Sequence, residues 1–242
     1  VAHLASSDDS ILALAHGGDY VQFGILIAQW SEWLTDHELA TTDSGRVLPI
    51  IPARGNHESI GLLFDQVFGS PGGGFGKNYF ATRLGADALL VTLNSEIAAG
   101  GDQKKFLADC LTSNAAVRWQ VVQYHRPIWP AVKVPALSKV HWQPVFDEKG
   151  IDLVCESDGH VLKRTMPIRG DAAHPEGVVY IGEGGLGVPQ RTPKEVWYLE
   201  PPGMSASVHH LWELRFGPKE LKLRAISIDG EIVDRATLEP RR

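Results

Sequence analysis

Four places in the chain put metal-binding or proton-transferring side chains at the end of an apolar run: Gly18-Asp19, Gly55-Asn56-His57-Glu58, Tyr124-His125 and Gly159-His160. Asp and Glu offer carboxylates, Asn a neutral oxygen and His a titratable ring, so these residues suit metal ligation or acid–base work near neutral pH. Asp19, Asn56, His125 and His160 form a mixed oxygen and nitrogen donor set of the kind borderline cations such as Zn, Mn or Fe accept. Each has an ordinary structural alternative, His125 as a hydrogen-bonded core histidine and Asp19 as a loop or cap residue. Recurrence at four successive strand ends points instead to one site, because ligands of open α/β sheets bind in the crevice beyond the strand C-termini.

The elements that must carry these residues follow from periodicity. Ile11–Ala15 and Val47–Ala53 are short apolar runs that read as buried parallel strands, and each runs into a glycine-containing polar turn. Between them, residues 23–39 carry Phe23, Leu26, Ile27, Trp30, Trp33 and Leu34 near helical spacing, with Glu32, Asp36 and Glu38 interspersed. Ser59–Phe68, Gly101–Leu111 and Leu137–Lys149 are further helical stretches. Asn78–Leu84, Ala88–Asn94, Val117–Tyr124 and Ile151–Cys155 are strands. Ser70–Lys77 is a glycine-rich connection without the spacing of a phosphate-binding loop. From about residue 178 long helices cease, and the strand-like runs 178–182, 209–216, 221–228 and 232–238 are joined by turns at Gly217-Pro218 and Asp229-Gly230, an antiparallel pattern. Neither a repeat nor a linker divides the chain, so one domain over 1–242 is expected.

Bulk properties exclude several classes. A hydrophobic content of 43% over 242 residues is that of an ordinary globular protein with a sizeable core. No apolar run approaches the roughly 20 residues a membrane span needs. A net charge of −6 without a basic run argues against a nucleic-acid partner. Cys110 and Cys155 make neither a disulfide framework nor a spaced zinc set.

The order Gly-Asp, Gly-Asn-His-Glu, a buried strand ending in His, then Gly-His resembles the calcineurin-like metallophosphoesterases, and most closely their purple acid phosphatase branch. Asn94-Ser95-Glu96, the Asp102-Gln103 helix start, the run Val122–Ile128 and Lys163-Arg164-Thr165 after Gly159-His160 support the resemblance, which covers most of residues 11–230. It implies a four-layer α/β/β/α sandwich and hydrolysis of a small phosphate ester, mono- or diester, with a lean towards an exported, periplasmic or secreted protein. It also implies Asp19 as a carboxylate bridging two metals, with Asn56, His125 and His160 completing one metal's ligands and His57 beside the leaving-group oxygen. Such paired cations, about 4 Å apart, clamp a phosphoryl group and activate water. Arg126 and Lys163 or Arg164 are candidates for offsetting phosphate charge. The alternative outcome is a weak or inactive relative that binds one metal and a phosphate ligand.

The chain departs from the pattern in three ways. Leu162 stands where the family has a second histidine, and Gln22 stands where the purple acid phosphatases have a tyrosine. The family's upstream strand ending in Asp does not precede Ile11. We therefore expect one complete metal site, a second doubtful one with Glu156 or Asp158 as possible compensating ligands, and a missing first strand upstream of Val1.

Overall fold

The computed structural model describes residues 1–241. In chain order the strands of the first part are Leu14–His16 (β1), Ile50–Pro52 (β2), Phe80–Leu84 (β3), Ala88–Thr92 (β4), Trp119–Gln123 (β5), Leu153–Cys155 (β6) and Leu162–Arg164 (β7). They are followed by Ile168–Arg169 (β8), Ala172–Ala173 (β9), Val179–Gly182 (β10), Met204–Ala206 (β11), His210–Phe216 (β12), Leu221–Ser227 (β13) and Ile232–Leu238 (β14). The helices are Ala2–Ser7 (α1), Ile27–Glu38 (α2), Leu63–Phe68 (α3), Gly101–Ser113 (α4) and Lys139–Lys149 (α5).

The main sheet has seven strands in the order β11-β7-β10-β6-β5-β4-β3. Its centre, β4, β5, β6 and β10, is parallel, and the outer strands β3, β7 and β11 run antiparallel to their neighbours. The central strands read as unbroken apolar runs because both sheet faces are covered, and successive side chains enter opposite cores. Leu89, Val91, Val122, Val154 and Tyr180 pack with Leu107 and Leu111 of α4 and Trp142, Val145 and Phe146 of α5. Their alternates Ala88, Leu90, Val121, Leu153, Val179 and Ile181 pack with Ile51 of β2 and Leu221 and Leu223 of β13. Behind that second layer Trp30 of α2 and Phe64 of α3 form an aromatic cluster with Tyr20, whose ring stacks on His16 at 4.0 Å. Helix, sheet, sheet and helix thus give the four-layer sandwich.

The second layer consists of a parallel pair, β1-β2, and an antiparallel meander, β12-β13-β14. The four motif-bearing strands therefore belong to two sheets, not to a single parallel one: β1 and β2 to the pair, β5 and β6 to the main sheet. The last third is also less uniform than its turns suggest, since β10 joins the main sheet in parallel with β6. Short strands β7, β8, β9 and β11 carry too few residues for a periodicity to register in the sequence.

Candidate active site

The turns after β1 and β2 are locked to each other by one buried carboxylate. Glu58 Oε2 accepts from the backbone N–H groups of Asp19 (2.9 Å) and Gly55 (3.0 Å), and Oε1 accepts from Tyr20 (2.8 Å) and Val21 (3.3 Å). Burial, then the neighbouring Asp19 charge, push the Glu58 carboxyl above its usual range, while the backbone donors oppose the rise. The approach is too close for side chains: a Cβ on Gly55 would stand 2.2 Å from Asp19 Oδ1, and one on Gly18 would meet the Gly55 backbone at 2.6 Å. Gly18, at φ 98°, also occupies the left-handed region that favours glycine. Arg54 anchors the far side of the turn. It is buried, donates through Nε and Nη2 to the Glu58 carbonyl, and through Nη1 to Asp65 Oδ2 at 3.1 Å and Asn78 Oδ1 at 2.9 Å.

Within this frame Asp19, His125 and Asp158 form the one group of three acidic or histidine residues, among the described residues, whose ligand atoms all lie within 4.8 Å of one another. His125 Nε2 is 3.1 Å from Asp19 Oδ2, 3.5 Å from Asp158 Oδ1 and 3.2 Å from Asn56 Oδ1. Its Nδ1 lies 2.8 Å from the Gly17 carbonyl, which can only accept, so Nδ1 carries a proton and Nε2 faces the three oxygens. Burial alone would lower the His125 pKa, but the Asp158 and Asp19 carboxylates outweigh it and raise it to about 10. Against burial, His125 and Lys133 hold Asp158 down to about 2, and His125 with the His57 backbone N–H lowers Asp19. A positive charge at Nε2 is therefore what this arrangement stabilises, and a metal cation ligated there in place of the proton fits it. An imidazole nitrogen whose other nitrogen donates to a backbone carbonyl, with two carboxylates and an amide oxygen, is a donor set for Mn, Fe or Zn.

The expected residues divide sharply. Asp19, Asn56 and His125 converge; His160, expected with them, lies outside the group of three, and Asp158, expected only as a compensating ligand, lies inside it. The turn after β6 accounts for this: Asp158 and His160 both take left-handed backbone (φ 67° and 61°), which breaks the simple alternation of side-chain directions. Burial, ahead of its neighbours' charges, lowers the His160 pKa. His57 borders the cluster, its backbone N–H on Asp19 Oδ1 (3.1 Å), its Nδ1 on the Gln22 carbonyl (2.7 Å) and its Nε2 3.8 Å from Asp19 Oδ2. Arg126 is half-exposed and oriented by Glu96, which takes its Nε at 2.9 and 3.0 Å.

Three candidates have other occupations. Lys163 is fully buried, its ammonium between Glu156 Oε2 (2.5 Å) and Glu183 Oε1 (2.6 Å), so it does not reach a phosphate and Glu156 does not reach the ligand cluster. Glu156 also accepts from the Tyr124 hydroxyl and the Ile128 N–H. Arg164 forms a two-pronged pair with Asp234 of β14. Conversely Lys133, whose ammonium pairs with Asp158 Oδ1, was not anticipated: it lies 25 positions away in a proline-containing loop without a motif. The structural work of Glu58 was foreshadowed only by its place in Gly-Asn-His-Glu.

The calcineurin-like phosphoesterase pattern matches residues 3–162. A purple acid phosphatase, PPD1, isolated from yellow lupin (Lupinus luteus) seeds has the same fold, with a TM-score of 0.82 at 18% identity over 98% of this chain and 48% of that one. GAP50, the anchor in the inner membrane complex of Plasmodium, superposes with a TM-score of 0.74 at 10% identity over 99% of this chain and 82% of its own. An uncharacterized Mycobacterium tuberculosis protein, found in two strains, is 24% identical over 174 residues, 60% of this chain and 32% of its own length. The chain thus spans about a third of the curated relatives it matches. With the matched pattern extending over residues 3–162, most of the chain, the chain belongs to the calcineurin-like phosphoesterase family.

Proposed function

We propose that this chain hydrolyses phosphate esters, with Asp19, Asn56, His125 and Asp158 holding one cation. The observation that carries the reading is the convergence of three oxygens on Nε2 of a histidine whose Nδ1 is committed to the Gly17 carbonyl. A bound cation supplies Lewis-acid activation of water and of the phosphoryl group. The protein supplies the rest. His57, its Nδ1 held by Gln22, keeps Nε2 free to hold a proton and give it to the departing alkoxide. Glu58 fixes the separation of the two turns, and Arg126 and Lys133 offset the charge of the phosphate.

A second reading, one cation and a phosphate ligand without turnover, is favoured by Leu162, which is fully buried in β7 at the family's second-histidine position, and by the position of His160 outside the cluster. Metal analysis after loading with Mn, Zn or Fe and dialysis tests the site: we expect about one equivalent per chain, lost in His125→Ala and Asp158→Asn and kept in His160→Ala. No retained metal sinks the assignment, and two equivalents bring a further ligand set into play. Turnover of an aryl phosphate decides between the two readings.

A further inference from the structure

A groove of about 730 Å³ opens beside the ligand cluster and shares Asp158 with it. That is the size of a small-molecule site. Two cationic side chains line it, Arg126 and Lys133. Glu96 engages only the Nε of Arg126, so its two terminal amino groups make no hydrogen bond to protein among the described residues. Lys133 rests on Asp158, at the junction of groove and cluster. The carboxylates of Glu96 and Asp158 line the groove beside these cations; the rest of the lining is largely apolar, and much of it is open to solvent: Val134 is 78% exposed, Leu137 89% and Val140 70%. Ser138 stands among them, buried, its hydroxyl without a hydrogen-bond partner. Past Ile97 and His141, which line both, lies a second hollow of about 680 Å³.

We propose that this groove receives the organic group of the substrate, and that the substrate class is a phosphate monoester of an apolar alcohol or phenol. This rests on the phosphoesterase reading above. The terminal amino groups of Arg126 and the ammonium of Lys133 are donors that a phosphoryl group next to the ligand cluster can accept from. Beyond them a sugar or amino-acid moiety would meet Val134, Leu137 and Val140 and find few polar partners, whereas an aryl or alkyl group removes exposed apolar surface from water.

Calorimetric titration of the Mn-loaded protein with 1-naphthylmethylphosphonate and with methylphosphonate, neither of which is hydrolysed, tests the groove without turnover. The naphthyl compound should bind at least about tenfold tighter. Leu137→Asp/Val140→Asp, which alters two exposed positions and should fold, should reduce that preference to under about threefold. Lys133→Gln should weaken both ligands alike. Equal binding of the two phosphonates, no binding of either, or a preference that survives the double variant overturns the proposal. Parallel turnover of 1-naphthyl phosphate and glycerol phosphate separates the two readings. Selective binding without turnover keeps the groove and discards the hydrolase, and unselective turnover with unselective binding does the reverse.

Discussion

Replacing Lys163 with methionine should destabilise the protein by about 3–5 kcal/mol at neutral pH, the usual cost of removing one partner from a buried ion pair. Lys163 Nζ donates to Glu156 Oε2, Glu183 Oε1 and the Trp129 carbonyl (2.5, 2.6 and 2.7 Å), and the three charged side chains are all 0% exposed. Methionine has a similar volume and shape, so the packing loss should stay below about 1.5 kcal/mol. What disappears is the charge that lets two carboxylates exist together away from water. Burial already pushes Glu183 upward, with Lys163 opposing the shift. Without the ammonium Glu183 loses the charge that opposes its rise, and the two buried carboxyls must take up a proton to stay inside together. The sign of the pH effect follows: the folded variant binds more protons than the unfolded chain above the ordinary Glu pKa, so its stability falls as pH rises through that window. Urea denaturation followed by circular dichroism at about pH 5 and about pH 8 should show the deficit growing with pH. Glu156→Gln/Lys163→Met/Glu183→Gln should recover most of it. A deficit under about 1 kcal/mol, or one independent of pH, would refute the argument.

Other outcomes follow from the same geometry. Glu58→Gln keeps the shape but removes the charge that four backbone N–H groups address, and should weaken metal affinity by roughly 10–100-fold, read by competition with a chelator. His57→Ala should lower kcat by roughly 10²–10⁴-fold on alkyl phosphates and much less on nitrophenyl esters, with metal content unchanged; equal losses on both would deny it a proton-donor role. His210 is buried with its Nδ1 3.0 Å from the Val208 carbonyl, and burial lowers its pKa. The folded state then binds fewer protons than the unfolded chain, so its contribution to stability is lost as pH falls below about 6.5. His210→Gln should lessen the loss of stability between about pH 7.5 and about pH 5.5.

Much of this protein is legible along the chain because the central strands of its main sheet are buried on both faces and its helices on one. Ala88–Thr92 and Trp119–Gln123 announce themselves as continuous apolar runs, and the helical spacing in residues 23–39 survives into α2. The glycines before Asp19 and Asn56 mark backbone turns, and the reason is local: a Cβ has no room where the two turns meet.

Tertiary structure decided what lies two residues either way. The sequence favours His160 as the ligand and offers Asp158 only as a compensating one, whereas in the folded chain, with a left-handed turn after β6, Asp158 joins Asp19 and His125. Lys163 and Arg164 are ordinary basic residues until β7 is placed between β10 and β11, where one becomes the centre of a buried ion cluster and the other reaches β14. Lys133 and the apolar groove wall carry no motif at all, because they are assembled by the packing of a loop over the strand ends. Periodicity records which face of an element is buried; it holds no record of charges brought together from distant turns, whose energies depend on distances that exist only once the layers close.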